Sequence, residues 1–386
     1  MKIKILLLLI LAVPVNLSSQ ELEIFGYLEN ELDGLALDNK KYILNYNKLR
    51  VDISSRVSKN ASFKANYNYI TFHGKTDFNL LEFLPDEVIP DIVRDSLWNM
   101  YQFPYNNRNF LDNAFLKISF GKLDITAGKQ QISTGTGYAW NPTDVFNIKN
   151  LLDPTYEQPG HNALRTDVAL GPMTGLSAIL APGEDWAGTT KMIRLKSGAG
   201  HFDFSAVYAE LQWTTTDYLT FYRKKERRRL AGMDFAGQLG IGLWGEGAWN
   251  RMESSEDYIE FVLGADYTFK FQTYLMTEYY HNGVGAAGKR EYRFNDWLQF
   301  MSGERKGLAR DYVFIFIQHP LTDLLGGGAF IIKNVNDGSY VISPRFFYTP
   351  FENVEIITMI NLTGGDKLSE YGNFKSGGLL RFRVYF

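Results

Sequence analysis

The carboxy-terminal stretch FKSGGLLRFRVYF, residues 374–386, decides the fold of this chain. Two sets of side chains alternate along it, one apolar and one carrying polar groups: Leu380, Phe382, Val384 and Phe386, and Arg381, Arg383 and Tyr385. Alternate side chains of a β-strand point to opposite faces of the sheet. One apolar face, one cationic face and an aromatic last residue are typical of the wall of a transmembrane β-barrel. A strand of a soluble β-sandwich alternates in the same way, so the rest of the chain must decide between the two.

The amino terminus predicts export. Lys2 and Lys4 precede an apolar run over 5–15, and small and polar residues follow over 16–20. This order is typical of a secretory signal peptide, so we expect residues 1–20 to be the signal and 21–386 to be one mature domain. The run is shorter than the roughly 20 apolar residues of a membrane-spanning helix. The sequence has no longer run, and it has no cysteine.

The composition agrees with a barrel wall. The chain contains 23 Tyr, 28 Phe and 35 Gly, and 22% of its residues are charged. Lipid-facing aromatic residues and lumen-facing charges together produce such a mixture. The net charge of −3 favours no class of partner, and the short basic run 223–229 does not predict nucleic-acid binding.

Eighteen runs with alternating apolar and polar residues predict an all-β, antiparallel, up-and-down transmembrane barrel. They cover residues 22–30, 42–57, 61–72, 113–121, 122–131, 161–170, 174–181, 189–197, 201–212, 228–239, 240–251, 257–270, 271–282, 310–319, 324–334, 338–349, 353–363 and 374–386. The signals over 189–197 and 324–334 are weak, and Pro344 interrupts the sixteenth strand, so sixteen strands remain an alternative.

The connections sort into two kinds. Even-numbered strands end in short turns, whereas long segments follow odd-numbered strands, at 73–112, 132–160, 213–227 and 283–309. Short turns at one rim and long loops at the other are typical of outer-membrane barrels. An even number of strands then places both termini at the rim with the short turns.

Opposed charges are expected on the two sides of the lumen. The predicted basic pore-lining residues are Lys48, Arg50, Arg56, Arg165, Arg194, Arg345, Arg381 and Arg383, and the predicted acidic ones are Asp234, Glu246, Glu260, Asp266 and Glu278. Opposed walls of this kind create a transverse field that orients dipolar or zwitterionic solutes. Alternatively, the charges keep the lumen hydrated or pair with a loop.

The loop 132–160 is the predicted constriction. Its glycines allow tight bends, and its prolines prevent regular hydrogen-bonded structure. The turn Trp140, Asn141, Pro142, Thr143 and Asp144 is rigid without a helix because its polar side chains bond nearby backbone amides. Such a loop is suited to folding into the lumen, and a position over the rim is the alternative.

A family resemblance is carried by Gly128-Lys129-Gln130, Gly135-Thr136-Gly137, Asn141-Pro142-Thr143-Asp144 and Leu164-Arg165-Thr166-Asp167. These motifs resemble porin-like outer-membrane proteins of Gram-negative, Bacteroidota-like origin, which are distantly similar to alginate-export barrels. The family pattern has Arg where Lys129 stands and Trp near Thr134. The resemblance implies an outer-membrane channel or exporter and does not specify the substrate.

Catalysis is not expected. The five histidines, at 73, 161, 201, 281 and 319, have no metal-ligand partner at strand or helical spacing. His281 lies near Glu278, but side chains three apart on a strand face opposite sides. We therefore expect no enzyme activity, no metal and no cofactor.

The sequence thus predicts a channel of the outer membrane for passive or partner-assisted passage of small polar solutes. An exporter or assembly barrel for a surface polysaccharide or protein complex is the alternative. Expected partners are membrane lipid, lipopolysaccharide at the basic run 223–229, and the barrel-assembly machinery at Phe386. A lipoprotein or further copies of the chain are possible partners in either role.

Overall fold

Eighteen antiparallel strands close into one barrel in the computed structural model, which describes residues 22–37, 40–149, 157–372 and 376–386. We number them β1 to β18: Leu22–Leu37, Lys40–Ser58, Ala61–Gly74, Arg108–Phe120, Leu123–Gln131, Gly160–Ala169, Thr174–Ala181, Thr190–Ala199, Phe202–Asp217, Tyr222–Leu239, Ile241–Met252, Tyr258–Thr268, Tyr274–Asn282, Asp311–Pro320, Leu325–Asn334, Tyr340–Phe351, Val354–Gly364 and Gly377–Tyr385. Each strand pairs with its neighbours in the chain, and β1 pairs with β18.

The predicted barrel is confirmed strand by strand, and the count is eighteen. Both weak signals form strands, β8 and β15. Pro344 lies within β16, opposite Ala329 on one side, while pairing with β17 pauses at that point and resumes in the same register. The predicted signal peptide lies outside the described residues.

The two faces of β18 alternate as the sequence predicts. Leu380 and Phe382 are 50% and 44% exposed on the outer surface, whereas Arg381 and Arg383 are 4% and 8% exposed inside. Phe386 closes the barrel, because its backbone exchanges two hydrogen bonds of 3.0 Å with Gly26 on β1.

Short turns occupy one rim, which we call the turn rim, and the longer connections occupy the other, the loop rim. Connections at the turn rim have one to five residues. The shortest is the single residue Gly240, whose φ of +78° is a conformation that favours glycine. The predicted long loop 213–227 is wrong, because β9 extends to Asp217 and β10 begins at Tyr222. The polar residues of 213–217 and 222–227 therefore belong to these two strands.

Three long connections lie at the loop rim, and two of them carry regular structure of their own. Between β3 and β4, residues Asp77–Asn79 and Gln102–Pro104 form a two-stranded ribbon. Short helical turns lie between them, at Leu80–Phe83, Asp86–Val88, Val93–Leu97 and Trp98–Tyr101. Between β13 and β14 lie a 3-10 turn, Lys289–Glu291, and helix α1, Phe294–Met301. The third connection, between β5 and β6, has no regular structure in its described part.

No helix among the described residues is long and apolar enough to cross a membrane.

Candidate functional site

The connection between β5 and β6 enters the barrel and packs against its wall. Ile132 and Thr143 are 1% and 0% exposed. The Trp140 ring stacks on the ring of Tyr280 in β13, with centroids 4.9 Å apart and planes 13° from parallel. Burial of large side chains between a loop and a wall fixes the position of the loop. We call residues 132–149 the inner loop.

Glu246 on β11 holds the inner loop by its backbone. The carboxylate accepts N–H bonds from Thr136 at 2.8 Å, Gly137 at 3.1 Å and Thr143 at 2.5 Å, and the Thr143 hydroxyl donates a further bond at 2.8 Å. Hydrogen bonds to an ionised carboxylate are about twice as strong as those between neutral groups. One wall carboxylate thus satisfies several amides of a loop that has no regular structure.

Glu278 on β13 provides a second anchor beside the first. It accepts the backbone N–H groups of Tyr138 and Ala139, the latter at 2.6 Å, and the indole N–H of Trp244 at 2.6 Å. Glu246 and Glu278 are 4% and 0% exposed. Both carboxylates bond the loop, which is the alternative that the sequence left open for these wall charges.

The motif Gly135-Thr136-Gly137 is explained by the first anchor. Gly135 has φ +83°, and a Cβ at this position would lie 2.4 Å from Glu246 Oε2. A Cβ at Gly137 would lie 1.9 Å from the carbonyl oxygen of Trp140. Any larger residue would therefore separate the loop amides from the carboxylate.

The predicted turn 140–144 is rigid in the expected way. Asp144 accepts the backbone N–H groups of Phe146 at 2.9 Å and Asn147 at 3.1 Å, and Asn141 donates its side-chain amide to the carbonyl of Thr134 at 3.1 Å. Burial raises the pKa of Asp144 although these hydrogen bonds oppose the shift. Trp140, Asn141, Pro142, Thr143 and Asp144 are all buried against the wall. Tyr138, in contrast, is 48% exposed.

Glu157 connects the same loop to the other side of the barrel. Its carboxylate accepts hydrogen bonds from Tyr27 at 2.6 Å, Lys48 at 2.8 Å and Arg50 at 2.9 Å. Burial opposes ionisation of Glu157, but the two cations outweigh it and lower the pKa to about 2. Lys48 and Arg50 lie on β2, nine strands from β11 in a barrel of eighteen. The connection is therefore attached to two opposite walls.

The basic residues near the closure of the barrel are paired with carboxylates of β1. Arg381 bonds Glu31, and its Nε lies 3.8 Å from Glu29. Arg383 bonds Glu29 with its Nε at 2.6 Å, and its guanidinium lies 4.3 Å from the centre of the Tyr27 ring. These arginines are predicted to form a basic wall opposed to an acidic one, but in the structure they pair with the acidic residues of the adjacent strand β1, which the prediction left out.

Other predicted cations are also paired over short distances. Arg50 bonds Asp52 at 2.9 Å, Arg165 bonds Asp167 at 2.8 Å, and Arg194 lies 3.5 Å from Asp234. These pairs remove most of the charge separation on which a field across the lumen depends.

Two predicted cations differ from the rest. Arg56 is exposed near the turn rim. Arg345 is 6% exposed, with its guanidinium 4.3 Å from the Phe316 ring and 4.9 Å from the Phe347 ring. Aromatic faces stabilise a cation in such a position.

Two predicted acids near the inner loop also have partners. Glu260 on β12 bonds Lys306 at 2.8 Å and accepts the hydroxyl of Tyr280 at 3.0 Å. Asp266 accepts the hydroxyl of Tyr274 at 3.0 Å. Lys306 also donates to the carbonyl of Asn141 at 3.2 Å, so this pair supports the inner loop from the side of the loop rim.

A second layer lies over the inner loop at the loop rim. Tyr101, from the β3–β4 connection, donates its hydroxyl to the carbonyl of Tyr218 at 2.6 Å, and its ring lies 5.5 Å from Phe221 and 5.8 Å from Phe294 of α1. The connection thus reaches from β3 to the β9–β10 hairpin and to α1. We call this contact the outer layer.

Four site residues were not found from the sequence: Glu29, Glu31, Asp52 and Glu157. Glu29 and Glu31 alternate with apolar residues on the first strand, so an assignment of faces to β1 identifies them. Glu157 has no periodic signal because it lies in a loop.

His281 and Glu278 face opposite sides of the wall, as the sequence predicts. His281 faces the outer side, where its ring stacks 5.0 Å from that of Phe261 and its Nδ1 lies 2.8 Å from the carboxylate of Asp311.

No family model matches the chain, and no curated protein matches it in sequence. Solved structures match it in fold. The outer membrane protein OprD from Pseudomonas aeruginosa is similar with a TM-score of 0.58 and 9% identity, over 95% of this chain and 94% of that one. OccAB4 from Acinetobacter baumannii has a TM-score of 0.56 and 9% identity, over 97% of this chain and 100% of that one. These similarities show a shared barrel fold.

Proposed function

We propose that this protein is an outer-membrane channel for small polar solutes, with the β5–β6 connection as its constriction. One observation carries the proposal: this connection is anchored on Glu246 and Glu278 at one wall and contacts Lys48 and Arg50 at the opposite wall. A loop attached to both sides of a barrel narrows the lumen without filling it. A barrel of 16 to 18 strands is wide enough for water and solutes to pass beside such a loop.

The apolar outer surface, the predicted signal peptide and Phe386 support a location in the outer membrane. The outward faces carry large apolar side chains such as Leu263 and Phe346, at 54% and 47% exposed, as a lipid environment requires. The predicted signal peptide supports export, and Phe386 is the proposed contact for the barrel-assembly machinery. The exposed basic side chains at the β10 start are suited to lipopolysaccharide phosphates.

An exporter or assembly barrel that opens with a partner is the second candidate, and the outer layer favours it. Tyr101 links two connections across the mouth, and a lipoprotein or a passing polymer is then needed to separate them. The resemblance to alginate-export barrels agrees with this role. Catalysis is part of neither proposal.

Conductance in planar lipid bilayers separates the two candidates. We compare the purified protein with Tyr101→Ala, which removes the hydroxyl bond and both ring contacts of the outer layer, and with Tyr222→Ala as a control. Tyr222 lies at the same rim and is 68% exposed.

Stable current steps from the unmodified protein, little changed by Tyr101→Ala, support a diffusion channel. A silent protein that conducts only as the Tyr101→Ala variant supports the partnered role. If folded samples of all three remain silent, both proposals are wrong.

A further inference from the structure

A cavity of about 490 Å³ lies between the inner loop and the loop rim. Its walls come from residues 144–148 of the inner loop, from the outer ends of β9 to β13 with residues 255–256 between β11 and β12, and from Gln299 of α1 and residues 303–306 after it. Ligand pockets in proteins commonly have volumes of 300–1,000 Å³. A solute that enters from the loop rim reaches this cavity before the constriction.

The wall of the cavity contains a buried arginine with no anionic partner in the described part of the chain. Arg228 on β10 is 4% exposed, and its Nε donates to Asn250 at 2.8 Å. Its guanidinium lies 4.8 Å from the centre of the Trp213 ring and 5.7 Å from that of Tyr258. No carboxylate among the described residues lies within 4.0 Å of it. A buried guanidinium normally has a carboxylate or phosphate partner.

The nearest candidates for that partner are engaged elsewhere. Glu226 accepts the backbone N–H groups of Ser254 at 3.0 Å and Ser255 at 2.9 Å. Glu304 accepts the backbone N–H of Thr216 at 2.9 Å. Glu260 bonds Lys306 at 2.8 Å. Arg228 therefore retains donor capacity toward the cavity that these side chains do not use.

The charge of the lining limits the kind of anion. Among the described lining residues, five are acidic, Asp144, Glu226, Glu256, Glu260 and Glu304, and three are basic, Arg228, Arg305 and Lys306. A solute with only negative charge is repelled by this surplus of carboxylates. Glu256 is exposed and forms no ion pair with a described residue, so a cationic group of the solute finds a partner there.

We infer that the cavity binds small zwitterionic solutes with an apolar side chain, such as aromatic amino acids. The carboxylate of the solute pairs with Arg228, its ammonium group with Glu256, and its apolar part contacts Trp213 and Tyr258. The inference rests on the proposed channel function and names the class of solute that the channel selects. A solute that enters from the loop rim meets this binding site before the proposed constriction, so binding here selects the solutes that reach the constriction.

Three probes that share a phenyl ring test the inference: L-phenylalanine, phenylacetate and phenethylamine. Their binding is measured by calorimetry on the full-length protein in detergent, so the result does not depend on conductance. We expect L-phenylalanine to bind about tenfold more tightly than either single-charge probe. Equal binding of the three, or no binding of L-phenylalanine, overturns the inference and leaves the channel proposal to the conductance test.

Variants then locate the site. Arg228→Gln is expected to weaken L-phenylalanine binding by at least tenfold, because a charge-assisted pair is lost. Glu256→Gln should weaken L-phenylalanine and phenethylamine but not phenylacetate. Arg227→Gln, the same charge change at the neighbouring position, is the control.

Heat-dependent mobility on denaturing gels reports whether each variant barrel is folded. If Arg228→Gln is unfolded, Trp213→Ala is used instead, with the same expected loss. Unchanged affinity in a folded Arg228→Gln variant overturns the assignment of the site.

Discussion

Thr143 donates both its backbone N–H and its hydroxyl to one oxygen of Glu246, at 2.5 and 2.8 Å. The two residues are 103 positions apart, and the contact joins a loop to the wall on which it rests. A Cβ added at Gly232 of β10 would lie 2.6 Å from the Thr143 methyl group, so the wall is shaped to receive this residue. The inner loop is thus held by a wall carboxylate that binds loop backbone, rather than by secondary structure.

Replacement of Glu246 by Gln should release the inner loop. The amide keeps one acceptor but adds two donors that face backbone N–H groups, so about 1.5–3 kcal/mol of loop attachment is lost for each charged hydrogen bond removed. We expect higher and noisier single-channel conductance with an intact barrel. Glu23→Gln, an exposed site at the turn rim, is the matched control. Conductance equal to that of the control would show that the loop is held by other contacts.

Glu157 sets the charge at the opposite wall. Glu157→Gln leaves Lys48 and Arg50 without their shared partner and adds net positive charge to the lumen. The reversal potential in a salt gradient should therefore shift toward anion selectivity. Glu355→Gln, near the turn rim, changes the same charge outside the constriction and should shift it less.

Protonation of Glu157 should also change the conductance of the proposed channel at low pH. The pKa of Glu157 falls from 4.5 to about 2 in the folded protein. A lowered pKa means that the contact stabilises the loop above pH 4.5 and loses this effect as the pH falls through about 2. Conductance should be constant from pH 8 to pH 4 and should rise as the pH approaches about 2, where Glu157 becomes protonated in the folded protein. Glu157→Gln should have the acid-like conductance at every pH, and a wild-type step near pH 6 would contradict this assignment.

The seam between β1 and β18 depends on buried ion pairs. Removal of one member of such a pair leaves the other charge uncompensated, at a cost of about 3–5 kcal/mol. Arg383→Gln should therefore lower the urea concentration at which the barrel unfolds, and Glu29→Gln should do the same. The double variant should be more stable than the sum of the single effects implies. Additive losses would mean that the two residues contribute independently.

Strand positions were predictable from the sequence, whereas the contacts of the site were not. Alternation fixes the face of each side chain, as for Arg381 and Arg383, and it requires no knowledge of distant residues. Their partners were missed because no faces were assigned to β1, whose Glu31 meets Arg381, 350 positions away, only when the barrel closes. The anchors on Glu246 and Glu278 were missed for another reason. Most of their donors are backbone N–H groups, which every residue except proline carries, so these contacts leave no mark in the sequence.

Glu370 should make the packing of the β17–β18 connection sensitive to pH. Its carboxylate accepts the Tyr312 hydroxyl and the Asn334 amide, both at 2.7 Å, and burial raises its pKa from 4.5 to about 7. A raised pKa means that the protonated form stabilises the fold, fully below pH 4.5, and that this stability is lost as the pH rises through about 7.

Above pH 7 the buried charge should loosen the packing of this connection on the loop rim. Hydrogen exchange over residues 365–372 should accelerate between pH 6 and 8, after correction for the intrinsic pH dependence of exchange. Glu370→Gln, which cannot ionise, should remove the acceleration. Asp366→Asn, a nearby exposed carboxylate bonded to Lys289, should retain it. An acceleration that persists in Glu370→Gln would assign the pH dependence to another group at the loop rim.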